Sequence, residues 1–327
     1  MEKFTTRLTI AIMALMVVLS ITNQAKADYY HTASIDHKKW AKEFYTVKDK
    51  VRYTDVHEAI LDQDVKLKFN YIKFPGIEMK ASLKSSKNNF AEVIGANEIA
   101  YNGNTFHSII VDHSKCYNGQ YGNDCARSQG SSRTELKAKG TYTFYEGTEK
   151  WINYAVLPAN NILFDGRSRS FNVGQCHPYD KSGERITWMI KFRDNKLELN
   201  HNFTSTQQND GTWKKGYQVF RTLKTFDVNE NNGAMDWTNI RINFKNSKKP
   251  DGKLHIWIDG ELAYEYSGPT NWANGKTDKC GFKFGLYTTG NLTSPYKEHI
   301  QNMTVFVDYM GFANTEKKLE KILAKDK

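Results

Sequence analysis

The sequence predicts an all-β protein, an antiparallel sandwich, on three observations. Segment after segment alternates apolar and polar residues at or near period two; these segments are rich in aromatic and β-branched side chains; and Asx-Gly turn signals separate them. Residues 28–66 come first, an N-terminal extension of mixed composition with short helices expected around Asp36–Tyr45 and Asp55–Leu61. The main domain, 67–314, follows. Its clearest strands are Val65–Tyr71, Thr141–Tyr145, Ile186–Phe192, Ile240–Phe244 and Leu254–Ile258, half-buried by their alternation. Turns fall at Asp165-Gly166, Asp210-Gly211, Asn232-Gly233, Asp251-Gly252 and Asp259-Gly260. Many short strands joined by tight turns make a sandwich rather than a parallel sheet. Residues 315–327 close the chain, with a charged helix over Thr315–Lys325. Neither an internal repeat nor a low-complexity linker interrupts this order.

Ahead of the extension, residues 1–27 have the layout of an export leader. A basic start (Lys3, Arg7) leads into the apolar run Leu8–Ile21 and the small-x-small site Ala25-Lys26-Ala27, which places cleavage after Ala27 and the mature protein in the periplasm or outside the cell. The run is short of the roughly 20 residues that cross a bilayer, so no membrane anchor is expected. Of 327 residues 25% are charged and 13% aromatic, with six prolines. That balance excludes a disordered tail protein and a collagen-like or coiled-coil rod. The formal net charge is +10, and a leader carrying Lys3, Arg7 and Lys26 against Glu2 accounts for little of it. A basic surface suits a polyanion. Nucleic acid is the usual rival, and export together with the absence of a recognition motif argues against it.

Export also makes the four cysteines candidates for disulfides. Cys116 and Cys125 flank a Gly/Asn-rich stretch and read as a loop staple, which leaves Cys176 and Cys280, although four cysteines permit three connectivities. No two have the C-x2-4-C spacing of a zinc site.

Three short constellations carry chemistry. In Arg133-Thr134-Glu135-Leu136 a strand places Arg133 and Glu135 on one face, where the guanidinium grips a carboxylate and Glu135 fixes it; taken alone such a pair is more often a surface ion pair. Gln175-Cys176-His177 sets an amide and an imidazole on one face, with a structural histidine before Pro178 as the plainer reading. Phe282-Lys283-Phe284-Gly285-Leu286-Tyr287 alternates without a break. Lys283, Gly285 and Tyr287 share one face, and Gly285 leaves room for a ligand to approach; an ordinary amphipathic strand fits the same pattern. Trp272, in a Gly/Pro/Asn loop just before that strand, is a candidate for stacking on sugar, though core packing is the commoner fate of a tryptophan.

Together, and in this order, the three segments resemble the signature of the jelly-roll polyuronate lyases: an R-x-E-L strand, a Q-x-H strand and a Y-F-K-x-G-x-Y strand, as in alginate lyases of that fold. The stretch Lys249–Leu262, then Tyr266-Ser267-Gly268-Pro269-Thr270, is similar to the hairpin preceding the Lys/Tyr strand in the group of heparin lyase I and the glucuronan lyases. The resemblance covers roughly residues 67–312. It departs at Cys176, where alginate lyases carry Ile or Val, and at Gly281, where their third motif opens with Tyr.

The resemblance implies a concanavalin-like jelly roll with a concave groove lined by Arg133, Gln175, His177, Lys283 and Tyr287, close enough for shared proton transfer. It implies β-elimination at a 4-linked uronic acid, of glucuronan or alginate type before heparin-type glycosaminoglycan. Arg133 and Gln175 would hold the carboxylate, His177 would help or act as base, Tyr287 would shuttle the proton and Lys283 would support charge, with Glu135 and Trp272 binding substrate. No cofactor is required; some relatives hold a structural Ca2+, for which no ligands are assigned here. The acidic polysaccharide is the partner of a monomeric enzyme, with no nucleic acid and no membrane. If the strands are unbroken, Cys176 and Cys280 both point into the sandwich and lie close together. Two rivals stand beside this reading. A glycoside hydrolase of the same architecture needs paired carboxylates, and the E-x-D-x-x-E strand of laminarinase-like members is absent. A non-catalytic module binding acidic glycans is the other.

Overall fold

Period-two alternation becomes two antiparallel sheets packed face to face. The computed structural model describes residues 66–69, 73–74, 77–81, 90–94, 100–103, 105–112, 118–119, 122–123, 131–138, 142–158, 170–178, 186–193, 196–203, 217–226, 237–271, 279–289 and 302–325, all within the unit Arg52–Lys327. The leader, the two N-terminal helices, Cys116, Cys125, Trp272 and the turns at Asp165, Asp210 and Asn232 lie outside the described residues.

The first sheet runs, in spatial order, β1 (Lys66–Phe69), β4 (Phe90–Ile94), β5 (Thr105–Asp112), β19 (Asn302–Ala313), β10 (Glu149–Pro158), β15 (Thr238–Lys245), β16 (Lys253–Ile258) and β17 (Glu261–Ser267). The second runs β14 (Tyr217–Thr225), β13 (Lys196–Phe203), β12 (Trp188–Arg193), β11 (Ser170–Pro178), β18 (Lys279–Thr289), β8 (Ser131–Ala138), β3 (Ile77–Ala81) and β2 (Lys73–Phe74), with β9 (Thr143–Tyr145) beside the start of β18. A hairpin of β6 (Asn118–Gly119) and β7 (Gly122–Asn123) stands apart from both sheets. Neighbours distant in sequence, such as β10 beside β19 and β18 between β11 and β8, give the crossed-over connectivity of a jelly roll.

Aromatic side chains join the two inner faces. Phe144 of β9 and Trp188 of β12 meet Phe244 of β15 edge to face at 5.0 and 6.0 Å, and Tyr154 of β10 meets Phe284 of β18 at 5.1 Å. All are fully buried, and such pairs add about 0.5–1.5 kcal/mol each to the burial itself. Asp259-Gly260 links β16 to β17 as expected; both residues have positive φ, 53° and 91°, the conformation a two-residue hairpin turn demands.

The charged C-terminal stretch forms α1 (Glu316–Leu323), capped by the Thr315 hydroxyl accepting from the Lys318 amide. Charge is only half of its character. Leu319 and Leu323 are buried against Gly311 of β19, where a Cβ would come within 2.9 Å of either side chain. On the exposed side Arg241 of β15 pairs with Glu316 and Glu320 at 3.4 and 2.6 Å. Among the described residues no helix is long and apolar enough to cross a membrane.

Two histidines lie inside this core. Burial holds His107 and His201 down at about 3, so both stay neutral in the fold while the unfolded chain protonates near pH 6.5. A depressed folded value means the unfolded state binds more protons below that pH. Stability should therefore be fully present above pH 6.5 and decline as pH falls toward 3, by up to about 1.4 kcal/mol per pH unit for each histidine. Denaturant melts at pH 6.5 and pH 5, a window above most carboxylate titration, check this; identical midpoints would contradict it.

Candidate active site

The three sequence constellations fall on three adjacent strands, β11, β18 and β8. On β18 the side chains of Phe282, Phe284 and Leu286 fill the sandwich, which turns Lys283, Gly285 and Tyr287 to the outer face. On β8, Thr134, Leu136 and Ala138 point in, so Arg133, Glu135 and Lys137 point out. Strand β11 does not alternate cleanly. Phe171, Val173 and Cys176 are all core residues, an odd spacing that the strand accommodates by register shifts between Asn172 and Gly174 against β12 and between Asn172 and Gln175 against β18. The extra residue is glycine for a steric reason: a Cβ on Gly174 would lie 2.5 Å from the Tyr154 hydroxyl. The bulge brings Asn172, Gln175 and His177 to one face.

Register then arranges the face in rows. Asn172, Tyr287 and Arg133 stand opposite one another across the three strands; so do Gln175, Lys283 and Lys137; His177 faces Gly281. A chain of contacts links the first two rows. The Arg133 guanidinium lies 4.5 Å from the Tyr287 ring centroid. Its Nη1 is 3.7 Å from one oxygen of Glu135, and the other oxygen accepts a 2.5 Å hydrogen bond from Gln175 Nε2. Glu135 is only 2% exposed, so its carboxylate serves two protein groups.

Gly285 makes this reach feasible. It sits opposite Glu135 on the middle strand, and with no side chain there the Glu135–Gln175 bond spans β18. Its φ is +134°, and a Cβ would collide with the Thr134 carbonyl and come within 2.9 Å of Glu135 Cα. Gly285→Ala should therefore cost about 3 kcal/mol or more of unfolding free energy. Chemical denaturation measures it, and wild-type stability would contradict the account.

His177 is set apart from Tyr287. In an antiparallel pair the step from Gln175 to His177 runs toward Gly281, away from Tyr287, and Gly281 to Tyr287 is roughly 20 Å of extended strand. The two side chains approach the face from opposite ends with the Glu135–Gln175 pair between them. His177 Nδ1 lies 2.7 Å from the Pro178 carbonyl. A carbonyl only accepts, so Nδ1 carries the hydrogen and Nε2 keeps its lone pair. Burial first, then the Lys283 ammonium, with smaller pushes from Arg133 and Lys137, hold the imidazole down at about 4 against that hydrogen bond. It is neutral at pH 7.

Behind the face, Cys176 and Cys280 form a disulfide with Cα atoms 5.4 Å apart, both buried and both turned into the sandwich as the strand offsets predict. The bridge ties β11 to β18 directly beneath Gln175 and His177. Two residues of the face escaped the sequence reading. Lys137 continues the Arg133–Glu135 alternation by one step and was findable; Asn172, 9% exposed, is out of phase with Gln175 and appears only through the bulge. Among the described residues no group of three or more His, Cys, Asp or Glu is placed to hold a metal ion.

Comparison with known proteins supplies the family. Among solved structures the chain is similar to an endo-β-1,4-glucuronan lyase from the fungus Trichoderma reesei, at 16% identity over 76% of this chain and 91% of that one, TM-score 0.48. It is similar too to the family 7 alginate lyase A1-II′, at 12% identity over 64% and 80%, TM-score 0.42, and to the marine alginate lyase AlyA1 from Zobellia galactanivorans, at 11% over 64% and 78%, TM-score 0.37. No curated protein matches the sequence. The model of the family described as polysaccharide lyase matches residues 94–310, a span that holds all three strands of the face. The chain belongs to the polysaccharide lyase family.

Proposed function

We propose that the protein is a secreted lyase cleaving a 4-linked uronic-acid polysaccharide, of glucuronan or alginate type ahead of a heparin-type glycosaminoglycan, by β-elimination. One observation carries the reading: Arg133 and Gln175, both donors, are held by a shared buried carboxylate beside Tyr287. A C5–H next to an ionised carboxylate is a poor acid. A guanidinium and an amide N–H on that carboxylate neutralise it and stabilise the enolate-like charge as the proton leaves. Gln175 has a second N–H for this, since Glu135 takes one. Glu135 then acts by positioning rather than by touching the sugar.

Elimination breaks C5–H, forms the C4–C5 double bond, and breaks C4–O, whose oxygen leaves with a proton. It is redox-neutral and calls for no cofactor. Tyr287 gives the proton to the leaving oxygen and, for a uronate whose C5–H and C4–O lie on one side, also takes the one from C5, with Lys283 supporting charge beside it; His177, a strand's length away, helps by binding substrate rather than as the base of the same linkage. Substrate carboxylates held by cations are screened by salt, so KM should rise several-fold from about 0.05 to 0.5 M NaCl. An insensitive KM would count against a polyanion. A panel of glucuronan, alginate, heparin and heparan sulfate, scored by ultraviolet absorbance of the unsaturated product, tests the reading. Turnover of one or more supports it; binding without turnover of any would leave a glycan-binding module.

A further inference from the structure

The face that carries Arg133, Gln175 and Tyr287 continues over β12, β13 and β14 to the edge of the sheet. Register draws one row across it: Gln175 stands opposite Met189, Met189 opposite Asn200, and Asn200 opposite Phe220 on the edge strand. Phe220 points to this face, because Leu197, Leu199 and His201 of β13 take the core side. It is 50% exposed, an unusual state for a phenylalanine in a strand. Lys191, itself buried, sets its ammonium 5.3 Å from the ring centroid and 3.5 Å from Glu198, so one side of the ring is fixed from within the protein. The Gln218 amide donates to the Asn200 carbonyl at 3.0 Å, ordering the polar positions beside the ring. On strands β12 and β13 of this face Lys191, Arg193 and Lys196 stand beside the carboxylate Glu198, which Lys191 and Arg193 share at 3.5 and 3.6 Å.

An exposed ring held from beneath by a cation, at the end of a polar and positively charged row, fits the apolar C–H face of a pyranose that carries its own carboxylate. We propose that Phe220 is the stacking platform of a remote subsite for the acidic polysaccharide, with Arg193 and Lys196 facing the carboxylates of the sugars that lead to it. The inference rests on the lyase reading and extends it along the chain of the substrate. Strands are about 4.8 Å apart, so Phe220 lies roughly 14 Å from Gln175. A 4-linked pyranose chain advances by a similar step per sugar. The ring therefore meets the third sugar beyond the one whose carboxylate Gln175 holds, which a hexamer reaches and a trimer seated at Gln175 does not.

The test compares wild type, Phe220→Ala and Phe220→Trp on a trimer and a hexamer of whichever uronate binds best. Dissociation constants are measured by calorimetry where the oligomer is not cleaved, and kcat/KM where it is. Loss of the ring should weaken the hexamer about 3- to 10-fold, the size of one aromatic contact, leave the trimer unchanged, and be restored by tryptophan. No loss on the hexamer, or equal loss on both lengths, overturns the subsite. A shift of Phe220→Ala in oligomeric state, with unchanged hexamer binding, would also overturn it and give the ring to self-association. A wild type that binds the hexamer through Phe220 without turnover keeps the subsite and ends the lyase reading; turnover insensitive to Phe220 does the reverse; no binding of either oligomer ends both.

Discussion

Tyr287→Phe should lower kcat by about 10²-fold or more while leaving KM and stability near wild type. The change removes one hydroxyl and keeps the ring that packs against the Arg133 guanidinium at 4.5 Å, so what is lost is proton transfer, whose usual contribution is of that size. Tyr287 and His177 stand at opposite ends of the face, too far apart to serve adjacent atoms of one linkage, so His177→Ala should lose activity only in part, with Tyr287 in both roles; near-total loss would contradict this arrangement. Burial and the Lys283 charge keep the imidazole neutral down to about 4, so kcat/KM should show no acid-side titration near 6.5. Wild-type kcat in Tyr287→Phe would end the mechanism as drawn.

Arg133→Ala should damage both constants. Its contact with the substrate carboxylate exists in the ground state and strengthens as charge moves from C5 onto that carboxylate, so KM should rise and kcat should fall by about 10²- to 10³-fold. The variant also strips the buried Glu135 carboxylate of its cation, a loss of about 1–3 kcal/mol in stability. Arg133→Lys separates the two effects: it restores a charge for Glu135 but not the two parallel donors that grip a carboxylate. Stability close to wild type with kcat/KM still at least tenfold down is the expected result for the lysine variant. Full activity in it would show that a point charge suffices.

Much of the face was legible because alternation on β18 and β8 is unbroken. Phe282, Phe284 and Leu286 on one side commit Lys283 and Tyr287 to the other, and the same parity sends Cys176 and Cys280 inward to their disulfide. Parity does not give register. Which residue of β11 lies beside Tyr287 depends on a bulge made by Gly174 under the Tyr154 hydroxyl, a contact between different sheets, so Asn172 went unnoticed and His177 was expected nearer to Tyr287 than its pairing places it. Alternation alone also singles out Gly285, but not that its missing side chain accommodates β8 and the Glu135–Gln175 bond, which depends on the strand pairing. The C-terminal helix read as charged because Leu319 and Leu323 are two residues among many lysines and glutamates; their burial follows from Gly311 on a strand the sequence does not place beside them.

The central claim is that this face breaks a uronate linkage by elimination, without water entering the new bond. Counting products tests it most directly: new reducing ends and C4–C5 unsaturated ends are measured together during cleavage of the preferred polymer. The account predicts one unsaturated end for each new reducing end, and loss of both in Tyr287→Phe. Reducing ends without unsaturation would mean hydrolysis, and would contradict it.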